Sequence, residues 1–442
     1  MMNEERKAMV TLEAILDSAN MTRALRKVVA NKGSPGVDDM EVSELEPYIR
    51  AHPRQLSKSI ADGTYRPSPV RRTYIPKDNG ELRPLGIPTV VDRLVQQAIA
   101  QVLSEEYDPV FAPTSCAYRP GMSADSAMDA VQCFGNEGYV WAVSLDLSKF
   151  FDTVNHSKMI QVLSDRIKDG RVISLIHRIF RAKICENGKF TRPTMGMPQG
   201  GPLSPICANI LLNELDQELM RRGVKFVRYA DDTLILCRSE RAARRVYASV
   251  KKFVEKKLFL KVNESKTKIS HLSRDVKFLG FTFYPRRVGP AKSKAERCRM
   301  TWDYAVHPKK IKAFKERVKT ELDRRCPRGL DRTKRQFAVF IKGWLGYFFA
   351  GLSKSRREDL DQWIRRRIRQ LYWKIWKKPR TRIAALRKLG VSQWRAHEWG
   401  NSSKSYWRIS GSWVLSTSLT NTRLGELGWT WLSNARDWGT AR

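Results

Sequence analysis

The sequence lacks an apolar run long enough to cross a membrane: its 442 residues contain no uninterrupted hydrophobic stretch of about 18 residues. Residues 1–9 are charged and have no apolar core of the kind that a signal peptide needs. Cysteine is scarce, and the seven thiols form no Cys-x-x-Cys pair and no cluster with histidine. They are Cys116, Cys133, Cys185, Cys207, Cys237, Cys298 and Cys326. This pattern gives no sign of a disulfide framework or a zinc site, and we expect reduced thiols in a cytoplasmic protein with no membrane partner.

Acidic residues are also scarce relative to basic ones. The chain has 45 Asp and Glu against 82 Lys and Arg, which gives a formal net charge of +37. So large an excess of positive charge favours an extended polyanion, and therefore nucleic acid, as the partner. The length suffices for roughly two to four folding units with large cores.

Two of the few acids are adjacent in an unusual context. Asp231 and Asp232 end the sequence Tyr-Ala-Asp-Asp, and apolar segments rich in β-formers flank this tetrad at 224–228 and 233–237. The pattern predicts two short strands joined by a tight turn. Adjacent carboxylates repel each other, and a divalent cation makes the arrangement favourable. The same dipeptide also occurs on solvated loops, so the pair alone does not establish a metal site.

A second carboxylate upstream supports the metal interpretation. Residues 140–147 alternate in apolar character and predict a buried strand, which Asp146 interrupts with a charge. Such a charge needs an Arg or Lys partner or a metal ion, whereas Asp152 is predicted to begin the next helix as its N-cap. Together Asp146 and Asp231 suit two Mg²⁺ ions roughly 3.5–4 Å apart, with Mn²⁺ as a possible substitute. Carboxylates without a His or Cys nucleophile are typical of phosphoryl transfer, which depends on positioning and charge.

Two further segments combine turns with polar side chains. Residues 197–205 read Met-Pro-Gln-Gly-Gly-Pro-Leu-Ser-Pro, in which the glycines let the backbone approach a ligand and the prolines stiffen its path. An apolar helical pattern follows at 206–218. Residues 74–88 predict a hairpin with an Asn-Gly turn, from which Lys77 and Arg83 project cations.

In their order along the chain, these motifs resemble those of a reverse transcriptase, and more narrowly those of a bacterial group II intron-encoded protein. The first metal motif is 145–152, the turn-helix motif is 197–205 and the tetrad is 229–232. The segment similar to the primer grip consists of Phe278, Leu279, Gly280 and Phe281. The resemblance implies an α+β, right-hand polymerase fold: fingers, a palm with an antiparallel sheet and helices, a helical thumb and a small basic C-terminal domain.

The resemblance also assigns catalytic roles. Asp146, Asp231 and Asp232 are the expected catalytic carboxylates. The expected metal ligands are Asp146, Asp231 and the Leu147 carbonyl, and Asp232 either binds metal as well or orients the ligands. The reaction implied is extension of a DNA or RNA primer on an RNA template.

The incoming dNTP has its own expected contacts. The cations expected to grip its triphosphate are Lys77 and Arg83. Gln199 is similar to the family residue that contacts the templating pair and the nucleotide. Phe151 is expected under the sugar, where it excludes a 2′-hydroxyl, with Phe150 as the alternative. Lys266 or Lys268 is expected near the leaving pyrophosphate.

The same resemblance divides the chain into five parts. They are an N-terminal extension (1–65), fingers (66–125), palm (126–285), a helical thumb or maturase domain (286–378) and an aromatic-rich, DNA-binding-like domain (379–442). Helices are predicted at 11–30 and 91–106, and three more at 311–324, 334–352 and 357–377. We expect no His- and Cys-rich nuclease domain of the kind that some relatives append, a pattern similar to the group IIC branch.

The third of the thumb helices mixes arginine with aromatic residues. Cations contact phosphates, and aromatic rings either stack on bases or pack in the core. The residues expected to bind nucleic acid are Arg365, Arg366, Arg369, Trp373 and Lys377.

Three functions are consistent with these residues. The first is an RNA-directed DNA polymerase that also binds intron RNA, assists splicing and copies the intron at a DNA target. The second is a free-standing polymerase of the same type, used in repair or phage defence. The third is an RNA-binding splicing factor with a vestigial polymerase, which the complete carboxylate set and Gln199 argue against.

Overall fold

A computed structural model describes residues 10–52, 54–76, 80–288, 299–323, 325 and 329–435. Lys77 and Asn79 of the predicted hairpin lie outside the described residues. The chain divides into two compact units. Unit 1 comprises Met1–Leu279 and Pro285–Trp302, and unit 2 comprises Gly280–Tyr284 and Asp303–Arg442. None of the helices in the described ranges is long and apolar enough to span a membrane.

Unit 1 mixes helices and strands along its length. In chain order they are α1 (Leu12–Leu16), α2 (Ser18–Ala30), α3 (Leu45–Ala51), α4 (Gln55–Ala61), β1 (Val70–Pro76), β2 (Leu82–Ile87), α5 (Val90–Tyr107), α6 (Ala124–Asn136), β3 (Trp141–Leu145), α7 (Phe150–Thr153), α8 (His156–Arg166), α9 (Gly170–Phe180), β4 (Ile184–Glu186), β5 (Lys189–Thr191), α10 (Leu203–Arg221), β6 (Lys225–Tyr229), β7 (Asp232–Cys237), α11 (Glu240–Lys257) and β8 (Lys268–His271). Short 3₁₀ helices lie at Val42–Glu44 and Asp108–Val110. Helix α5 is buried along most of its length and packs against α2 and α10.

The N-terminal helix predicted at 11–30 is two helices, so that prediction is wrong in detail. Asp17 separates α1 from α2, and its carboxylate accepts hydrogen bonds from the backbone N–H groups of Ala19 and Asn20. A side chain that binds the free N–H groups of a first turn favours a new helix start over continuation. The apolar spacing persists across this break, which is why the pattern alone did not show it.

The first sheet, sheet A, has the strand order β2-β1-β4-β5. Strands β1 and β2 form the antiparallel hairpin predicted for 74–88, with Ile75 opposite Arg83. Strand β1 also pairs in parallel with β4, where Val70 lies opposite Ile184. The hairpin is thus confirmed in its strands, and it carries Arg83 on an exposed stretch of β2.

The second sheet, sheet B, is antiparallel and has the order β6-β7-β3-β8. Tyr229 pairs with Asp232 across β6 and β7, and Leu145 pairs with Thr233 across β3 and β7. The strands predicted on both sides of the tetrad and before Asp146 are therefore confirmed. Their interiors are apolar and buried, so the polar residues of the motifs lie where the strands end.

The helices predicted at 91–106 and 206–218 are confirmed as α5 and α10. The prediction that Asp152 caps the next helix is wrong. Asp152 lies inside the short helix α7, and Asn155 caps α8 by accepting a hydrogen bond from the Lys158 N–H at 3.0 Å. The one-turn helix α7, in which Phe150 is buried, precedes α8, and the sequence carried no signal for it.

Unit 2 is mainly helical, and the residues of the strand pair that precedes its helices are divided between the two units. Its helices are α12 (Pro308–Glu321), α13 (Leu330–Phe348), α14 (Lys354–Ile375), α15 (Pro379–Lys388), α16 (Gln393–Gly400), α17 (Tyr406–Ser410), α18 (Trp413–Ser418) and α19 (Asn421–Glu426). The three helices predicted here are confirmed as α12 to α14. Strands β9 (Phe281–Val288) and β10 (Arg299–Val306) form a two-stranded sheet, so the helical character predicted from residue 286 onward is wrong for this segment. Buried Phe281 and Phe283 alternate with more exposed neighbours, a period typical of strands.

Candidate active site

Asp231 and Asp232 lie at the turn between β6 and β7. Tyr229 and Asp232 are the last paired residues, so Ala230 and Asp231 form a two-residue hairpin loop. Ala230 has a φ of 57°, a left-handed conformation that costs a residue with a Cβ roughly 1–2 kcal/mol. Neighbouring contacts therefore have to hold the turn in this shape.

Arg228, the residue before the tetrad, supplies these contacts. Its side chain is fully buried, and its Nη1 donates to the Ala230 carbonyl at 3.1 Å and to Asn209 Oδ1 at 2.8 Å. Its Nε and Nη2 donate to the carboxylate of Asp216, which is also fully buried. Asn209 and Asp216 both belong to α10. The guanidinium therefore ties the catalytic turn to a helix that starts just after the Pro-Gln-Gly-Gly segment.

Asp146 directly follows β3 and reaches the same end of sheet B. Leu145 pairs with Thr233, so one further step along this antiparallel register brings Asp146 opposite Asp232. The Asp146 N–H donates to Thr267 Oγ1 at 3.2 Å. The structure thus brings together the two carboxylate motifs that the sequence separates by more than eighty positions.

The electrostatics of Asp232 confirm that these carboxylates are close. Loss of solvation, together with the negative charges of Asp231 and Asp146, raises the pKa of Asp232 to about 6. Arg83 acts in the opposite direction. Asp232 keeps much of its surface open to solvent, which leaves its carboxylate accessible to a ligand.

The Leu147 carbonyl is oriented to join this cluster. Leu147 lies opposite Val262 in an isolated antiparallel bridge. The hydrogen bonds of this bridge are made by the flanking residues: the Asn263 N–H donates to the Asp146 carbonyl at 2.8 Å. Leu147 and Val262 are therefore a non-hydrogen-bonded pair, in which the Leu147 carbonyl points away from the strand of Val262. It therefore points to the side of β3 on which β7 and the catalytic turn lie.

Three carboxylates and a backbone carbonyl are oxygen donors, the type that Mg²⁺ prefers. As the side chains stand, no three His, Cys, Asp or Glu residues within the described part of the chain are arranged to hold a metal ion. The fit to divalent cations therefore depends on donor chemistry and on like charges that a cation would neutralise, and not on a preformed cage.

The two candidate phenylalanines occupy different environments. Phe151 lines a cavity of about 380 Å³ together with Arg72 and Lys149, and its carbonyl accepts a hydrogen bond from the Met197 N–H at 2.7 Å. Phe150 is 2% exposed and its ring packs edge-on against Phe151, with centroids 5.1 Å apart. Phe151 is thus the ring that faces open space, and Phe150 supports it from the core.

Gln199 lies where the Pro-Gln-Gly-Gly segment meets sheet A. Its carbonyl accepts a hydrogen bond from the Gly86 N–H at 2.7 Å. Gly200 has a φ of 131°, and a Cβ there would lie 2.6 Å from the Gly86 carbonyl oxygen, so only glycine fits. This close approach joins Gln199 to the strand that carries Arg83.

The lysines near the expected pyrophosphate are both exposed. The Lys266 N–H donates to Asn263 Oδ1 at 3.3 Å, so Lys266 belongs to a turn that is bonded to Asp146 from both sides. Lys268 begins β8 and pairs with Ser144. Both side chains stay candidates, and Lys266 has the more direct connection to the carboxylate cluster.

Two residues of the site carried no motif signal. They are Arg228 and Tyr118. Tyr118 is 55% exposed and has a φ of 57°. It lines a groove of about 620 Å³ together with Arg23 and Lys27 of α2. Partial desolvation raises the pKa of its phenol, and the neighbouring Asp231 charge adds to this. An exposed aromatic ring between a carboxylate and two cations suits base stacking.

The residues similar to a primer grip lie where the first segment of unit 1 ends. Phe278 is buried and Leu279 has a φ of 52°. Gly280, the first residue of unit 2, has a φ of 86°, and within that unit a Cβ on it would lie 3.1 Å from the Phe348 ring. Two successive left-handed residues make a tight turn directly before β9.

In unit 2, the arginines predicted to bind nucleic acid hold the C-terminal segment. Arg366 lies 3.9 Å from the centre of the Trp407 ring and donates to the Trp407 carbonyl at 3.0 Å. Arg369 donates to the Leu419 carbonyl at 3.1 Å. Arg365 lies over another tryptophan ring of the same segment. These half-buried guanidinium groups have an internal structural role that the sequence did not reveal.

The other two candidates of this group differ in accessibility. Trp373 is 1% exposed, which leaves no ring face for a base, so the stacking role predicted for it is wrong in this structure. Lys377, just beyond α14, is exposed and stays a candidate. Helix α14 also anchors the segment around Leu432 through Asp361, whose carboxylate accepts hydrogen bonds from the Leu432 and Ser433 N–H groups at 2.7 and 2.9 Å.

Carboxylates at the end of an antiparallel sheet, next to a glycine-rich turn and a cationic hairpin, define the class of template-dependent nucleotidyltransferases. Residues 75–283 match the family described as "Reverse transcriptase (RNA-dependent DNA polymerase)". Residues 311–394 match "Group II intron, maturase-specific domain".

Individual relatives agree with these matches. The chain is 31% identical over 308 residues to Protein YkfC of Escherichia coli (strain K12), covering 60% of this chain and 81% of that protein. It is 30% identical over 338 residues to the group II intron-encoded protein LtrA of Lactococcus lactis subsp. cremoris, covering 61% of this chain and 55% of LtrA. A solved partial Cas6-RT-Cas1–Cas2 complex is 24% identical with a TM-score of 0.35, covering 55% of this chain and 42% of that one. A likeness this weak supports no structural conclusion.

The chain belongs to the family of group II intron-encoded reverse transcriptases with a maturase domain. Its enzymatic class is RNA-directed DNA polymerase. Its fold is accordingly that of a reverse transcriptase, mixed in helices and strands.

Proposed function

We propose that the carboxylate cluster at the end of sheet B is the polymerase centre of this chain. The observation that carries the proposal is the meeting of Asp146, Asp231 and Asp232, whose charges act on one another and on Arg83. Asp146 and Asp231, with the Leu147 carbonyl, would hold two Mg²⁺ ions, for which Mn²⁺ could substitute, and Asp232 would bind or orient them. When bound, such ions activate a primer 3′-hydroxyl and stabilise the leaving pyrophosphate.

The chain's own side chains position the nucleotide. Arg83 and Lys77 bind the triphosphate as cations, and Lys266 meets the pyrophosphate end. The Gln199 backbone is held against Gly86, and its side-chain amide would contact the templating pair. Phe151 lies under the sugar, where its ring excludes a 2′-hydroxyl. These roles need little covalent chemistry, because phosphoryl transfer depends mainly on positioning and charge.

The partners we propose are an RNA template, a DNA or RNA primer, structured intron RNA and target DNA. A net charge of +37 and the maturase-specific match at 311–394 support assistance to splicing and to movement of the intron into DNA. Helices α12 to α14 would then form the thumb, and residues 379–435 would contribute to binding of DNA. We expect such a protein in the bacterial cytoplasm with its nucleic acid, and its similarity to bacterial proteins supports this location.

Primer extension on an RNA template tests the polymerase directly. With dNTPs and Mg²⁺, the wild-type protein should produce long cDNA. Removal of divalent ions with a chelator should stop synthesis, and rNTPs should support little extension. A folded protein that binds RNA but extends no primer would contradict the proposal and favour a splicing factor with a vestigial polymerase.

A further inference from the structure

A second basic site lies in unit 1 beside the end of α9. A cavity of about 520 Å³ is lined by five cations from separate parts of the chain. We call this cavity the basic pocket, and its five cations are Arg66, Arg178, Arg181, Lys183 and Arg192. They come from the approach to β1, from the end of α9, from the link to β4 and from the residue after β5. The fold thus gathers charges that are far apart in sequence.

Among the residues that the structure describes, the cations of the basic pocket have no acidic partners. Within the described ranges, no carboxylate lies within 4 Å of any of the five side chains, although Arg171 at the start of α9 pairs with Glu13 and Asp169. Acidic residues therefore neutralise Arg171 at the N-terminal end of α9. No described acidic residue does so for Arg178 and Arg181 at its C-terminal end. Clustered like charges are unfavourable unless an anion binds among them.

Hydrogen bonds fix the pocket's inner wall in spite of this repulsion. Arg178 Nη1 donates to the carbonyls of Gly63 and Tyr65 at 2.7 and 3.1 Å. Arg66 Nη1 donates to the same two carbonyls at 2.8 and 3.0 Å. Loss of solvation lowers the pKa of Arg178, and the charge of Arg66 adds to this effect. Two guanidinium groups converge on one pair of carbonyls, so the wall is pre-organised for an anion.

The composition of the pocket identifies the kind of anion. Four of its five cations are arginines, whose planar forks match the oxygens of a phosphate group in pairs. The outer three, Arg181, Lys183 and Arg192, are exposed and make no side-chain hydrogen bond to any other described residue. None of the five lines the cavity of Phe151 or the groove of Tyr118. The site therefore suits phosphates that are not those of the reacting nucleotide.

We propose that the basic pocket binds the phosphodiester backbone of an RNA strand outside the polymerase cleft. This inference rests on the proposed function, because it names a contact for the structured RNA that such a protein holds while its cleft is occupied. Contact with phosphates would be independent of base sequence. It would position the RNA on the part of unit 1 that carries sheet A.

The test removes the outer charges and leaves the hydrogen-bonded wall intact. The variant is R181Q/K183Q/R192Q, and the matched control is R241Q/R245Q/K252Q, which removes three exposed cations from α11. Each protein is saturated with an unlabelled RNA template and a dideoxy-terminated primer plus the next dNTP. Binding of a fluorescein-labelled RNA hairpin is then measured over a range of salt concentrations.

Loss of three phosphate contacts should weaken hairpin binding about tenfold or more and lower the salt slope by about 2. The control should bind within about twofold of the wild type, and both triple variants should extend a short template–primer normally. Equal hairpin binding by variant and control would overturn the proposal. A matching rise in the KM for template–primer would also overturn it, since the pocket would then lie on the template path. Selective loss of binding to phosphatidylglycerol vesicles, with RNA binding kept, would assign the pocket to lipid instead. Absence of extension by the wild type is a separate outcome that bears on the polymerase and not on the hairpin comparison.

Discussion

Arg228 determines, at the scale of single residues, whether the catalytic turn keeps its shape. Replacing it alone would leave Asp216 buried and unpaired, at a cost of about 3–5 kcal/mol, and the protein could simply unfold. The double variant Arg228→Met with Asp216→Leu removes both charges, and such replacements are often close to neutral for stability. It should keep a melting temperature near that of the wild type. The Ala230 carbonyl still loses its donor, so kcat should fall about tenfold or more with little change in the KM for dNTP.

The measurement is steady-state primer extension beside thermal unfolding of the same preparations. A double variant with wild-type kcat would mean that the buried pair serves stability alone. If the double variant melts far below the wild type, the two kcat values are compared at a lower temperature, at which both proteins are fully folded.

Phe151 and Phe150 provide a second pair of residue-scale variants. Phe151→Ala removes the ring that faces the cavity, so rNTP incorporation relative to dNTP should rise about tenfold or more. Phe150→Ala removes a core ring and should lower the free energy of unfolding by about 3–5 kcal/mol, with sugar selectivity unchanged. Single-nucleotide incorporation with paired dNTP and rNTP measures both ratios. Unchanged selectivity in Phe151→Ala would take that residue out of the sugar check.

The sequence showed the carboxylates because a charge at the end of an apolar strand is conspicuous even without neighbours. It did not show Arg228, because one arginine among 82 basic residues gains meaning only when Asp216 is buried beside it. Trp373 was wrongly predicted for the same reason. Its helical spacing fits a core ring and a stacking ring equally well, and only tertiary packing distinguishes them.

Among the elements, long periodic segments were predicted well and interruptions were not. Helices α5, α10, α12, α13 and α14 are confirmed, as are strands β3, β6 and β7 of sheet B. The break at Asp17 and the cap at Asn155 were missed because short polar side chains compete for the first turn of a helix. Strands β9 and β10 were missed because a basic composition hid their alternation.

Helix α14 has an element-scale role that can be tested through Asp361. Its buried carboxylate accepts hydrogen bonds from two backbone N–H groups and from the Ser433 hydroxyl. Asp361→Ala should leave buried donors unpaired, at about 1–3 kcal/mol for each. The melting temperature should fall, and hydrogen exchange should increase at 429–435. Asp359→Ala, an exposed neighbour on the same helix, should change neither. Equal exchange in the two variants would contradict the anchoring role.

At the scale of the whole molecule, the proposed catalytic centre can be separated from the positive charge that binds nucleic acid. The proposed catalytic carboxylates all lie in unit 1, and the maturase-specific match lies in unit 2. A net charge of +37 makes nucleic-acid binding a property of many cations, so the loss of one carboxylate should not weaken it. The catalytic centre, in contrast, depends on a few oxygen atoms that no distant charge can replace.

The most direct measurement is therefore a paired one on Asp231→Ala. Primer extension on an RNA template and gel-shift binding of the same template–primer are measured on one preparation, beside the wild type. We predict that extension is abolished while binding stays within a few-fold of the wild type. Extension by Asp231→Ala at the wild-type rate would contradict the catalytic assignment, and loss of binding together with extension would assign Asp231 a structural role instead.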